Sequence, residues 1–316
     1  MARENKLPKR LQPMLATLVG APFDSPDWVF EGKWDGFRVV AVIEGGHVTL
    51  YSRNGQTLSG NYLPVANALE KLRHNAVIDG ELVALDEHHR SRFQLLQNAL
   101  NTPASLRYMV FDIMVLDGED LRGLPLIERK ERLRKVLPND PLIVFSSHLR
   151  ENGKAFFEKA AASGEEGIMA KRAASRYLSG ARSKDWLKIK ACRRQEVVIV
   201  GFTAPRRSRQ YFGALVIAVR DGEEWRYAGH VGTGFSNAVL EDLHGKLWPL
   251  RTASSPFTQR VKDEPVTTWV KPQLVAEVKF TEWTAGGEMR HPAYLGLRAD
   301  KKAADVVLEK EMHRRP

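Results

Sequence analysis

Glu31-Gly32-Lys33-Trp34-Asp35-Gly36-Phe37-Arg38 places a lysine between two β-prone runs, followed by an Asp-Gly turn. Residues 28–32 precede it and residues 37–43 follow, both rich in the aromatic and β-branched types that favour strands. A lysine amine is a weak nucleophile while protonated, and neighbouring cations lower its pKa and so activate it. Arg38 is such a neighbour in sequence, and Lys188 and Lys190 are others if the fold brings them close. Taken alone, the stretch is equally an ordinary hairpin with a solvated lysine, because so short a pattern recurs by chance.

Working outward, residues 48–52 form a strand joined to 37–43 through Glu44-Gly45-Gly46. Residues 64–73 suit a helix with Pro64 at its first position. The apolar runs 77–85 and 107–116 suit buried strands, with a helical stretch over 93–100 between them. Residues 127–136 and 155–162 suit surface helices, and 167–171 and 186–190 two further strands. Beyond Lys190 the character turns to β: strands over 195–203, 214–220, 224–231 and 274–280, with one helix at 237–247. That content suggests a small barrel of the oligonucleotide-binding (OB) type. The expected class is α+β, with domains at 1–191 and 192–316 and the boundary near residues 191–194.

Composition bounds the function. The chain has 316 residues, enough for about two domains, and its net charge of +10 favours a polyanionic partner such as nucleic acid. A basic surface kept for solubility is the plainer alternative. No apolar run approaches the roughly 18 residues of a membrane span, and Met1-Ala2-Arg3-Glu4-Asn5 begins a segment without a signal peptide's apolar core. The single cysteine, Cys192, cannot form an internal disulfide or a zinc ribbon. A cytoplasmic protein is expected.

Several short motifs follow the first. Ser52-Arg53-Asn54-Gly55 ends a strand. Asp79-Gly80-Glu81-Leu82 puts carboxylates inside an apolar strand, where alternation sends Asp79 and Glu81 to one face. In Tyr108-Met109-Val110-Phe111-Asp112, Phe111 is either core or a stacking platform. Glu166-Gly167-Ile168-Met169-Ala170-Lys171 carries charge at both ends, and Trp186-Leu187-Lys188-Ile189-Lys190 sends both lysines to one face. Arg298-Ala299-Asp300-Lys301 lies near the end of the chain.

In this order, the set resembles the covalent nucleotidyltransferase superfamily of ATP-dependent DNA ligases, RNA ligases and messenger-RNA capping enzymes. The resemblance implies a nucleotidyltransferase (adenylation) domain of antiparallel sheets with helices, followed by an OB-fold domain. It makes Lys33 the residue that forms lysyl-AMP, with Asp35 and Arg38 assisting it and Arg298 and Asp300 acting in the same step. Glu31 would read the adenine amino group and Phe111 stack on the ring. Arg53 and Glu81 would meet the ribose, and Lys188 and Lys190 the phosphates. Glu166, with Glu81, would serve Mg²⁺ or Mn²⁺, hard ions that prefer oxygen ligands. AMP would pass to a DNA 5′-phosphate, and a 3′-hydroxyl would then seal the break.

The single cysteine excludes the zinc module of NAD-dependent ligases, whereas capping enzymes share enough motifs to stay open as an alternative. A basic β-barrel that merely binds nucleic acid is the non-enzymatic alternative. Gly229-His230-Val231-Gly232-Thr233-Gly234-Phe235 and Gln12-Pro13-Met14-Leu15-Ala16 resemble bacterial end-joining ligases, as does Glu282-Trp283-Thr284 with Arg290-His291-Pro292. The resemblance implies nicked or broken duplex DNA as substrate, the end-binding protein Ku as partner, and a nucleoid-associated monomer. It also suggests a stand-alone ligase or an excised core, without fused polymerase or phosphoesterase domains or a preceding helical DNA-binding domain. Arg206, Arg207 and Arg209 form a basic loop suited to DNA phosphate.

Overall fold

The computed structural model describes residues 12–98, 105–205 and 209–308. The chain forms two compact units that divide between Ala191 and Cys192. In chain order the first contains β1 (Leu15–Leu18), β2 (Ser25–Gly32), β3 (Phe37–Glu44), β4 (His47–Ser52), α1 (Leu63–Leu69), β5 (Ala76–Ala84) and α2 (Phe93–Asn98). It continues with β6 (Leu106–Leu116), β7 (Glu119–Asp120), α3 (Leu126–Val136), β8 (Ile143–Phe145) and β9 (Leu149–Glu151). Helix α4 (Gly153–Ala162) and strands β10 (Gly167–Arg172) and β11 (Arg182–Lys190) complete it.

These strands make two sheets. One has the order β4-β3-β5-β6-β7 with β8 added beside β6, and the other β1-β11-β10-β2-β9. Pairing is antiparallel except for β1 with β11 and β6 with β8. The second exception follows from α3, which carries the chain back so that β8 runs alongside β6. Gly45 and Gly46, at φ 59° and 82°, make the two-residue hairpin turn between β3 and β4 that needs a positive φ at both positions.

Three apolar layers hold the unit. Leu50, Leu69, Ile78, Leu82, Phe93 and Val110 pack the first sheet against α1 and α2. Val29, Val40, Val77, Phe111, Met114 and Trp186 fill the space between the two sheets. Phe30, Ile168, Leu187 and Ile189 pack the far side of the second sheet against Ala160 of α4. Leu187 and Ile189 thus face away from the first sheet, and alternation sends Lys188 and Lys190 toward it with Trp186. Helix α3 departs from the expected surface helix: its stripe Leu126, Arg129, Lys130, Leu133 is buried, two cations included.

The second unit contains β12 (Arg193–Thr203), β13 (Leu215–Asp221), β14 (Glu224–Val231), α5 (Asn237–Leu247), β15 (Thr267–Trp269), β16 (Val275–Phe280) and β17 (Ala293–Leu297). The sheet order is β14-β13-β12-β16-β17, with β15 on β12. Among the described residues β14 and β17 share no ladder and are linked at their ends by a bridge between Thr233 and Ala293, so the barrel is partly open, as OB folds are. Helix α5 starts at Ser236, whose hydroxyl accepts from Val239 N at 3.3 Å, and buries Leu240, Leu243 and Leu247. Among the described residues no helix is long and apolar enough to cross a membrane.

Candidate active site

Lys33 stands one residue past β2. Its N–H donates to Gly167 O at 3.0 Å, and its ammonium lies 2.5 Å from Glu166 Oε1. The loop it opens is fastened along its length. Trp34 Nε1 donates to Ser146 Oγ at 3.0 Å, Asp35 N to Ser91 Oγ at 3.0 Å, and Phe93 N to Asp35 Oδ2 at 3.4 Å. Gly36 ends the loop where a Cβ would fall 2.0 Å from Leu82 O, so only glycine lets β3 approach β5 there. Asp35 is therefore a buried anchor for the lysine loop.

The register of the second sheet aligns the expected phosphate contacts with this lysine. Glu31, Met169 and Lys188 occupy one row across β2, β10 and β11, and Gly167 pairs with Lys190 two rows on. On the facing sheet Arg38 pairs with Glu81, which pairs with Met109. Arg53 directly follows β4, whose last residue, Ser52, pairs with Val39. Residues far apart in sequence thus gather at the two faces of one inter-sheet space.

Charge inside that space is tightly organised. Lys130 Nζ lies 2.8 Å from Glu31 Oε1, and Lys171 Nζ lies 2.9 Å from Oε2. Burial alone would raise the Glu31 carboxyl, but the two ammonium groups outweigh it and hold it below its usual range. Burial also pushes the Lys171 ammonium down to about 8, against the opposing pull of Glu31. Lys171 sits 4.1 Å from the centre of the Phe111 ring and 4.3 Å from that of Trp186. Phe111 lies at a bulge in β6, where Asp79 pairs with Asp112 and Gly80 with Val110, a device that re-aims a side chain.

Arg38, the sequence neighbour of the Lys33 loop, has its guanidinium clamped on Asp79 at 2.6 and 2.7 Å, with Tyr177 Oη donating to the same carboxylate at 2.6 Å. The carbon of that guanidinium lies 4.7 Å from the Phe111 ring centre.

Residues 13–190 match the family described as "ATP dependent DNA ligase domain", and residues 208–301 match its C-terminal region. The chain belongs to the ATP-dependent DNA ligases. The ligase is 40% identical to a multifunctional non-homologous end joining protein LigD of Pseudomonas aeruginosa, over 96% of this chain and 37% of that protein. It is 36% identical to the same-named protein of Mycolicibacterium smegmatis, over 97% of this chain and 41% of that one. The chain thus spans about two fifths of these curated relatives. Among solved structures it is similar to mycobacterial DNA ligase D complexed with ATP and MES, with a TM-score of 0.73, 36% identity, and 95% and 98% of the two chains covered. The ligase domain of M. tuberculosis LigD gives a TM-score of 0.54 at 36% identity, with 95% of this chain and 99% of that one covered.

In the second unit of the ligase, Arg298 is bound by carboxylates: Asp300 at 2.8 Å twice and Glu277 at 3.0 Å, with Glu196 3.6 Å away. Lys301 pairs with Glu196 at 2.9 Å. Burial opposes charge on Arg298, but these carboxylates raise its pKa well above the ordinary value. Arg206 and Arg207 lie outside the described residues. Arg209 donates to Gly213 O and Gly232 O, both at 2.8 Å, so its guanidinium fastens neighbouring loops.

Sequence reasoning missed Lys130, Tyr177 and the Arg129–Asp112 pair, whose two contacts are both 2.8 Å. A signal for the first existed: Arg129 and Lys130 fall on the same i, i+3, i+4, i+7 stripe as Leu126 and Leu133. Cations on an apolar stripe require buried partners. No group of three or more His, Cys, Asp or Glu able to hold a metal occurs among the described residues. Mg²⁺ fits a sparser donor set, because it retains waters and uses one or two carboxylates together with substrate phosphates. Glu81 and Glu166, the two carboxylates the resemblance assigns to a metal, match that number.

Proposed function

We propose that this ligase joins DNA through a covalent lysyl-AMP at Lys33. The carrying observation is the Lys33 ammonium fixed 2.5 Å from Glu166, in a loop held by Ser91, Ser146 and Gly167. ATP would lie between the sheets, its adenine against Glu31 and Phe111, its ribose near Arg53 and Glu81, and its phosphates toward Lys188 and Lys190. Attack requires the free amine, so Lys33 must leave Glu166 and lose its proton before it bonds to the α-phosphorus. The P–O bond to pyrophosphate then breaks.

Mg²⁺ or Mn²⁺ at Glu81 and Glu166 would offset charge growing on the phosphates. Asp35 and Gly36 keep the lysine in line, Arg38 supports Phe111 from Asp79, and Arg298 and Asp300 act in this first step. AMP then passes to a 5′-phosphate, and the 3′-hydroxyl displaces it. Labelled ATP should leave acid-labile label on the wild-type protein and none on a folded Lys33→Ala variant. Label retained at wild-type level in that variant would overturn the assignment.

The shared likeness to end-joining proteins supports broken duplex ends as the substrate and Ku as a partner of a monomeric enzyme. Joining of linear duplex should rise when Ku is added, while sealing of a simple nick stays unchanged. Equal response of both substrates would remove Ku from the proposal.

A further inference from the structure

Glu31 is held in an unusual way for a residue at a ligand site. Its carboxylate is 2% exposed and meets two lysines that are each 1% exposed, one on α3 and one on β10. Lys130 also donates to Ser146 O at 2.9 Å and to Phe111 O at 3.3 Å. One ammonium therefore joins β2, the bulge of β6 and the segment after β8. None of the motifs quoted above contains Lys130.

We propose that Lys130 and Lys171 are positioning residues that keep Glu31 a pure hydrogen-bond acceptor, and that this makes the nucleotide pocket select a 6-aminopurine over a 6-oxopurine. The inference rests on the reading that Glu31 faces the base. An ionised carboxylate accepts at both oxygens and donates at neither. Each lysine occupies one oxygen and leaves further lone pairs for a ligand. A 6-amino group donates to such a site. A 6-oxo group presents an acceptor to an acceptor, so the oxo group stays unpaired in a buried place.

A carboxyl buried without these cations would favour its neutral form, whose O–H can donate to a 6-oxo group. The lysines remove that option. Lys130 adds a second constraint, because its bond to Phe111 O fixes the bulge from which the ring projects.

The test measures covalent labelling of Lys33 by ATP and by GTP, with kcat and KM for each. Lys130→Met takes the cluster from net +1 to neutral and leaves Glu31 paired one to one with Lys171, so no buried charge is left without a partner. The variant should lower the ATP-over-GTP ratio of kcat/KM by roughly tenfold or more, mainly through a higher KM for ATP. Lys130→Arg, which restores the charge, should recover most of the ratio. A folded Lys130→Met with wild-type selectivity overturns the proposal.

Wild-type protein gives a second decision that no folding defect can obscure. Inosine triphosphate, which carries the 6-oxo group alone, should label at least about tenfold worse than the purine riboside triphosphate without any 6-substituent. Equal labelling by those two overturns the proposal. If wild-type protein takes no label from ATP, the reading of Lys33 fails and this inference fails with it. Normal ATP labelling with unchanged selectivity sinks the inference alone.

Discussion

Two lysines of the first unit meet carboxylates with different consequences. Lys33, 18% exposed, is held by one carboxylate that it must release before reacting. Lys171, 1% exposed, shares Glu31 with a second cation, and burial pushes it down to about 8 from 10.5. Between those values the unfolded chain binds the Lys171 proton and the folded one does not, so this group's contribution to stability rises with pH. Melting temperature from pH 8 to 10 should therefore show an upward component that is missing in Lys171→Met, and identical curves would contradict the shift. Glu31 adds the opposite limit. Its folded pKa lies below the ordinary 4.5, so its contribution is present above that value and lost as pH falls through the lower folded one. The sequence made Lys33 legible because its neighbours recur in a fixed order along the chain. It hid the partners of Glu31, because Lys130 and Lys171 lie 99 and 140 residues away from it.

At the scale of elements, long strands were legible and short ones were not. β3, β5, β6, β12 and β14 carry enough apolar and β-branched residues to declare themselves. β1, β7, β8, β9 and β15 have two to four residues each, too few for any alternation to show. The bulges of β6 were also invisible, since Tyr108, Val110 and Ile113 turn to one core while Phe111, Met114 and Val115 turn to the other. Phe111 itself keeps the alternation set by Tyr108 and Val110, and the switch comes after it, where Ile113 and Met114 take the faces opposite to those strict alternation would give. The close approach of β3 to β5 at Gly36 is similarly a property of two elements. Gly36→Ala must push the strands apart against Leu82 O, with an expected loss of about 1–3 kcal/mol. Urea unfolding should show it, together with slower labelling of Lys33 as its loop moves. A variant as stable as wild type would show that the contact can be relieved without parting the strands.

For the whole molecule, whose net charge is +10, affinity for nicked duplex should fall steeply with salt if phosphate contacts hold the DNA. Arg206→Ala with Arg207→Ala should flatten that dependence if the loop meets phosphate. Arg209→Ala should chiefly loosen the loops that its guanidinium joins, and an unchanged slope in the double variant would remove the loop from the DNA surface. The last motif poses a harder choice. Arg298 lies among Asp300, Glu277 and Glu196, an arrangement that by itself accounts for Arg298-Ala299-Asp300-Lys301 as structural support. Removing a partner from so enclosed a network leaves carboxylates facing one another and costs about 3–5 kcal/mol. A purely structural role therefore predicts that Arg298→Ala damages every step of ligation equally. A role in the first step predicts something different. Departing pyrophosphate carries several negative charges that need cationic alignment, whereas sealing a nick that already bears a 5′-adenylate releases only AMP. Under the proposed function, Arg298→Ala and Asp300→Ala should slow AMP uptake from ATP by about a hundredfold or more. They should leave sealing of the pre-adenylated nick within a few-fold of wild type. Parallel loss in both assays, tracked by a lower melting temperature, would return Arg298 to its local network. Parallel retention in both would show that neither the reaction nor the fold depends on the motif.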